Sequence, residues 1–438
     1  MPNSETALQA HAPWLDQRLR LHAHDGTVAT ASDIAQLAAG AAAALPPEVR
    51  RLTIDASQAQ AVLVALALAQ RRPLDIALAR ETALASLPSP QRVQLAPGVV
   101  AWFDPPAGDA EGPLQASRVR LSTSGTTGHF KSVVYPLDRL TANLQRHPAG
   151  QSAVWLLTYE PASFAGLQVL LTAAANGAAV LAPQRTVAAL AQAAVQGGAT
   201  HISGTPSFWR ALLSSIPLQS HLPLRVATLG GEACSQDLLD AIRVRFPEVT
   251  IRHIYASTEA GVGFTVTDGR AGFPADWLVH GIDGIALRVH EDELQIRTAR
   301  GMLGYDGRTD EATDGGWFGT GDLVEVEAEA DRVLFQGRRD SVVNIGGTKV
   351  LPEKVEACLA TVEGVIDIAV LAHPSPILGH ILIAQVYAVP GADAAVVEAA
   401  LKARAMEQLT PVARPVRYRF VDSVVTASGK KGRKHGSV

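Results

Sequence analysis

Cysteine is scarce: only Cys234 and Cys358 occur in 438 residues. Two thiols cannot build a disulfide framework, so a reducing, cytoplasmic setting is expected. Aromatic residues are also few, with 6 Trp, 6 Tyr and 10 Phe, which leaves most of the packing to Ala, Val and Leu. Neither sign of charge dominates: 38 basic against 42 acidic residues give a formal net charge of −4. That balance offers no electrostatic footing for nucleic acid or an anionic membrane. Nor is there an unbroken apolar run of spanning length. The longest uncharged stretch, Pro161 to Gln184, is interrupted by Gln168, Asn176 and Gly177, and Asn-Gly is a turn signal. It reads as a buried helix, a turn and a buried strand, not as a membrane span. The opening residues lack a basic segment followed by an apolar one, so no secretory leader is expected.

What is present suits a folded, core-forming chain. Hydrophobic residues make up 47% and charged residues 18%, too apolar for disorder. The length predicts two or three domains. Between about residues 50 and 290 the runs RLTIDA, AVWLLTY, AAVLAP, THISGT, RVATLGG and TIRHIYA read as strands. They alternate with helix patterns VAALAQAAVQ, PSFWRALLSS and SQDLLDAIRVRF. Pro206 suits a first helical turn and Ser235 an N-cap. This alternation predicts an α/β fold of βαβ layers. After residue 290, ELQIR, LVEVEAE and RVLFQG alternate with period two and predict a small antiparallel subdomain. From Glu353 onward, two helix patterns and three strand patterns predict a small α+β domain. The boundary is expected within GRRDS, giving domains 1–339 and 340–438.

Five segments carry chemistry. The first, Leu121 to Lys131, reads LSTSGTTGHFK. Its glycines let backbone N–H groups turn inward, its hydroxyls add donors and its lysine adds charge, as a phosphate-cradling loop requires. It is not a Walker A loop, because Phe130 stands where that motif has glycine. The second, Tyr255-Ala256-Ser257-Thr258-Glu259, ends an apolar strand with a hydroxyl beside a carboxylate, a pairing suited to phosphate and Mg²⁺. The third, Gly316 to Leu323 (GWFGTGDL), sets a lone Asp322 among glycines, and a carboxylate can accept from both ribose hydroxyls. The fourth is Gly337 to Asp340 followed by NIGGTKV, residues 344–350. The fifth is Thr426 to Arg433, TASGKKGR. Taken singly, the first, second, third and fifth have plain alternatives: a solvated turn, a strand-ending turn, a hairpin and a disordered basic tail.

Together and in this order the segments resemble the adenylate-forming superfamily of acyl- and aryl-CoA synthetases, nonribosomal-peptide adenylation domains and luciferases. The likeness runs from residue 121 to 433 and includes LGGEA, residues 229–233. It implies that a carboxylic acid is activated by ATP to an acyl-adenylate and then passed to a thiol of CoA or a carrier-protein phosphopantetheine. On that likeness, Thr123, Ser124, Gly125, Thr126, Thr127 and Gly128 hold phosphates, with Lys131 at the loop lysine position. Thr258 meets the α-phosphate and Glu259 the Mg²⁺. Tyr255 and Gly230-Gly231-Glu232 flank adenine, while Asp322 and Arg338 take the ribose. Lys430 matches the C-terminal lysine that bridges carboxylate and α-phosphate, with the adjacent Lys431 as its competitor. Asp340 matches the hinge of a mobile lid domain, and Gly346 and Gly347 match the loop that lines the thiol path.

The chain departs from the pattern at Phe130, usually proline, and Ala256, usually glycine. Only about 120 residues precede the phosphate loop, fewer than is usual, so part of the N-terminal subdomain is expected to be reduced. The acid pocket is expected near Ser163, Phe164 and Gly204. Glu160 is the one nearby candidate for an α-amino group, which favours a plain aryl or fatty acid over an amino acid. A stand-alone adenylating enzyme with another acceptor is the alternative, and a non-catalytic nucleotide-binding module a more distant one. Cys234 and Cys358 are expected to be packed residues. His22-Ala23-His24-Asp25 reads as a surface loop more readily than a metal site.

Overall fold

A computed structural model describes residues 12–79, 91–103, 114–123, 131–142, 144, 146–147, 149–257, 261–298, 304–305, 316–425 and 431–432. The architecture is mixed α/β, with a large N-terminal sheet domain and a smaller C-terminal domain. The six strands expected between residues 50 and 290 all form, five of them in one sheet. That eight-stranded sheet runs in the order Gly261–Val266, Thr250–Ser257, Val226–Gly230, His201–Gly204, Val154–Leu157, Ala179–Ala182, Arg20–Ala23 and Val28–Thr30. Its six central strands are parallel, and each edge strand is antiparallel to its neighbour.

The helices begin where local chemistry allows. Thr205 caps Pro206–Ser215 by accepting from Phe208 N, with proline in the first turn. Ser163 caps Phe164–Asn176 by accepting from Gly166 N, and Gly177 ends that helix in the left-handed region. So the long uncharged stretch is a helix, a turn and a strand. Among the described residues no helix is long and apolar enough to cross a membrane. Ser235 stands at the cap position of Gln236–Arg245, but its hydroxyl makes no capping bond. It accepts instead from Arg210 at 3.1 Å.

A second sheet of seven strands was not foreseen. Parallel Arg51–Asp55, Asp75–Ala79 and Arg118–Thr123 form its centre, flanked by Gln91–Ala96, Val99–Phe103, Lys131–Pro136 and Gly304–Tyr305. The sheet meets the helix Ala59–Arg71, in which the nine successive residues Ala61 to Ala69 are all buried. A helix apolar on every side belongs between layers, not on a surface. The expected antiparallel subdomain is a five-stranded sheet with Phe318–Glu327 between Glu293–Arg297 and Arg332–Arg338. The last core gathers residues 345–418 around the sheet Val365–Ser375, Gly379–Ala388 and Arg417–Phe420. Cys234 is buried as expected, and burial pushes its thiol up to about 12. Cys358 is only half-buried, with its Sγ near Gln408; its helix turns Val355, Glu356 and Leu359 inward instead.

Candidate active site

The parallel strands present their carboxyl ends along one edge, the usual place for a ligand in an open α/β sheet. Gly204, Gly230 and Tyr255 all lie there. Gly230 is in register with Ile254, so the glycine-rich turn 230–232 begins beside Tyr255. The hydroxyl-rich segment begins at a related position in the second sheet. Arg118–Thr123 and Lys131–Pro136 are antiparallel, with Thr123 opposite Lys131. The pair brackets residues 124–130, so what reads as one loop in sequence has two ladder strands at its ends. Ser124, Gly125, Thr126, Thr127, Gly128, Thr258, Glu259 and Lys430 lie outside the described residues.

Asp322 is the best-defined acidic group of the edge. Its strand places it opposite Arg338 across the ladder. One carboxylate oxygen accepts from the Tyr255 hydroxyl at 2.5 Å, and the other from Arg338 Nη1 at 3.1 Å. Burial raises its pKa above the ordinary carboxylate value, and the Arg338 charge opposes that rise. A carboxylate has about four lone-pair sites. Two contacts leave capacity for ribose hydroxyls, and 18% of the side chain remains exposed. Burial and the Asp322 charge both push the Tyr255 hydroxyl well above its ordinary value, so it stays a proton donor.

The Tyr255 ring is held by other rings. It lies parallel to Phe264 and to Phe335, with centroids 5.1 Å away in each case. Phe273 and Trp277 pack behind Phe264. A chain poor in aromatics therefore gathers several at this one place. Offset stacking adds roughly 0.5–1.5 kcal/mol per pair beyond area burial, and it fixes the donor aimed at Asp322.

Glu232, on the turn after Gly230, has both carboxylate oxygens engaged. Oε2 accepts from Ser207 N at 3.1 Å and Ser207 Oγ at 2.7 Å, at the N-terminus of Pro206–Ser215. A carboxylate at a helix N-terminus is favourable. Oε1 accepts from the backbone N–H of Lys431 at 3.0 Å. Lys431 itself turns into the C-terminal domain, where its ammonium meets Glu356, Asp367 and the Ile368 carbonyl. Burial disfavours that charge, but Glu356, Asp367 and Glu232 outweigh it, and the net shift is upward.

At the expected acid pocket, Phe164 stacks on Tyr135 with centroids 5.6 Å apart. The Ser163 hydroxyl is spent on its helix cap and on the Glu160 carbonyl. Gly204 has a packing reason: a Cβ there would lie 2.3 Å from Phe208 Cδ1. Glu160 faces Arg185 at 3.8 Å. Further along, Arg338 Nε is 3.7 Å from Asp340, which lies in the short turn Arg339–Ser341. Residues 344–349 are tighter than a loop. They form a hairpin, Val343–Ile345 with Thr348–Val350, whose two turn residues Gly346 and Gly347 have φ of 56° and 87°. Two consecutive positive φ values define a turn that glycine makes without strain. Among the described residues no cluster of His, Cys, Asp and Glu could hold a metal ion.

Arg210, Glu356, Asp367 and Lys431 were missed as a group. Two sequence signals were available: Glu356 sits between Val355 and Leu359 on the apolar face of its helix, and Asp367 opens the apolar run Ile368–Leu371. A charge at a core position needs a partner.

The model of the AMP-binding enzyme family matches residues 29–298, and that of the AMP-binding enzyme C-terminal domain matches residues 354–430. A probable 2-succinylbenzoate–CoA ligase of Mycobacterium tuberculosis is 28% identical over 310 residues, covering 67% of this chain and 77% of the relative. The long-chain-fatty-acid–CoA ligase FadD13 of the same organism is 26% identical over 297 residues, covering 61% of this chain and 57% of the relative. Among solved structures, the anthranilate CoA ligase AuaEII in complex with anthranoyl-AMP aligns with a TM-score of 0.72 at 17% identity, covering 98% of this chain and 95% of that one. The amide bond synthetase McbA from Marinactinospora thermotolerans gives 0.70 at 19% identity, covering 98% and 97%. The structural matches carry the fold. The family match spans more than half of the sequence and agrees with the ordered motifs: the chain belongs to the AMP-binding, adenylate-forming enzymes.

Proposed function

We propose that this chain is an ATP-dependent acid–thiol ligase acting on an aryl or fatty carboxylic acid, with CoA or a carrier-protein phosphopantetheine as acceptor. In the first half-reaction a carboxylate oxygen bonds to the α-phosphorus of ATP. The bond from that phosphorus to its bridging oxygen breaks, and pyrophosphate leaves with the electron pair. In the second, a thiol sulfur bonds to the acyl carbon, its proton is lost to solvent, and AMP leaves. Little covalent chemistry falls to the protein, so placement and charge do the work. Asp322 accepts from the ribose, steadied by Tyr255 and Arg338. The segment between Thr123 and Lys131 cradles the phosphates. Thr258 and Glu259 serve the α-phosphate and a Mg²⁺ ion, and Lys430 bridges the acid and the α-phosphate. Asp340 is the hinge by which the C-terminal domain, residues 340–438, rotates to present Gly346 and Gly347 to the thiol.

One observation carries this reading. The carboxylate on the glycine-rich turn, Glu232, holds the peptide N–H that joins residues 430 and 431, and that turn follows Gly230, whose register partner Ile254 directly precedes Tyr255. The far end of the chain is thus drawn to the nucleotide edge of the sheet. Lys431 is already committed to carboxylates of its own domain, which supports Lys430 as the cation for catalysis. Pairing of Glu160 with Arg185 supports an acid without an α-amino group.

The test is pyrophosphate exchange with a panel of benzoates, cinnamates and fatty acids, followed by competition between CoA and a phosphopantetheinylated carrier. Exchange with one acid class and thioester formation on one acceptor are expected. Exchange without either thioester would favour a stand-alone adenylating enzyme, and no exchange with any acid would overturn the reading.

A further inference from the structure

The seam between the two domains contains charges that the reaction does not use. On the C-terminal side, Lys431 Nζ lies 3.0 Å from Asp367 Oδ1 and 3.2 Å from Glu356 Oε2, and donates to the Ile368 carbonyl at 2.7 Å. The three side chains are 10%, 1% and 6% exposed. Glu356 also accepts from Val370 N, and Asp367 from Ile368 N. The opposite domain adds a second cation to this buried group. Arg210, on the helix Pro206–Ser215 that packs against the strand Val365–Ser375, places Nη1 3.5 Å from Asp367 Oδ1. A second link across the seam is the Lys431 N–H to Glu232, and a third, more exposed, pairs Lys354 with Glu325 at 3.6 Å. Asp367 is therefore shared between a cation of its own domain and one of the opposite domain.

We infer that Arg210 is a positioning residue: its ion pair with Asp367, acting with the Glu232–Lys431 link, latches the C-terminal domain in the docked arrangement that acid activation requires. The inference rests on the proposed two-step function for its kinetic consequence, though not for the latch itself. Lys431, Glu356 and Asp367 move together, since they belong to one domain. Arg210 and Glu232 belong to the other domain and are left behind when the C-terminal domain turns away. Removing Arg210 weakens the docked state, with the further loss of its hydrogen bond to Ser235 inside its own domain, so the balance shifts toward the alternative arrangement.

The experiment compares wild type, Arg210→Met and Arg210→Lys, full length and with saturating ATP. Amide hydrogen exchange of the peptide covering residues 424–432 is read against that of the strand Val365–Ser375. In Arg210→Met the tail peptide is expected to exchange on the order of 10-fold faster while the strand is unchanged, with partial restoration in Arg210→Lys. Unchanged tail exchange in Arg210→Met would overturn the latch, and faster exchange in the strand as well would reduce Arg210 to a structural role. With an acid accepted by wild type, pyrophosphate exchange is expected to fall on the order of 10-fold in Arg210→Met, with thioester formation from a supplied acyl-adenylate undiminished. Equal loss in both steps would also overturn it. Should wild type activate no acid, the function fails while the exchange measurement still decides the latch.

Discussion

The two best-defined parts of the site are built from opposite materials. Around Asp322, aromatic rings fix a hydroxyl donor: Tyr255 lies between its neighbours Phe264 and Phe335, with Phe273 and Trp277 beyond. At the domain seam the contacts are charged: Lys431 with Glu356 and Asp367, Arg210 with Asp367, and Glu232 with a backbone amide. Apolar packing is lost wholesale when a surface is exposed, whereas separated charges regain much of their energy from water. A group that must hold one geometry suits rings, and a surface that must part and close again suits charges. On the proposed domain rotation, the contrast gives the site one rigid half and one reversible half.

The comparison can be broken at the rigid half first. Asp322→Asn keeps an oxygen for the Tyr255 hydroxyl but removes the charge facing Arg338. Adenylation is expected to fall on the order of 10²-fold in pyrophosphate exchange, with the melting temperature little changed. In wild type, protonation of Asp322 costs an acceptor. The KM for ATP should therefore rise as pH falls through a pKa that burial has lifted above the ordinary 3.8.

Phe264→Ala tests the support rather than the contact. Phe264 is 2% exposed and touches three other rings of the cluster, and loss of such a ring costs about 3–5 kcal/mol. Urea unfolding should show that loss, and ATP affinity should fall with it because Tyr255 is no longer held. A stability loss with unchanged nucleotide binding would separate the ring cluster from the site.

A further effect is a pH dependence in the same cluster. His253, two residues before Tyr255, lies against Phe335, and among the described residues its Nδ1 has no partner. Burial lowers its pKa from 6.5 to about 4. The unfolded chain therefore takes up a proton below 6.5 that the folded chain refuses until about pH 4. The stability from this group is present above pH 6.5 and lost as pH falls to about 4, on the order of 3 kcal/mol across the window. His253→Leu should flatten that decline in urea melts at about pH 7 and about pH 4.5. An unchanged decline would assign it to other groups.

Much of this was legible in the sequence for identifiable reasons. The parallel strands carry β-branched runs, and their helices open on Pro206 or a cap such as Thr205, so local chemistry and final fold agree. Asp322 stood out because a lone carboxylate lay among glycines. The second sheet was harder to read. Its strands Gln91–Ala96 and Val99–Phe103 are an antiparallel pair outside the strand–helix alternation, and the ends of the hydroxyl-rich segment looked like loop, although Thr123 and Lys131 belong to a ladder. Ser235 takes the cap position read from the sequence, but its hydroxyl serves Arg210, a contact 25 residues away, and not the helix N–H groups. The seam was missed for the same reason. Lys431 and Glu356 are 75 positions apart, and only the fold brings them together.

The central claim is that a cation on the chain's tail serves acid activation and not thioester formation. The direct measurement is Lys430→Ala, assayed for pyrophosphate exchange and, separately, for thioester formation from a supplied acyl-adenylate. Exchange should fall on the order of 10²–10³-fold while the second step continues at the wild-type rate. Equal loss in both, or no loss in exchange, would contradict the account.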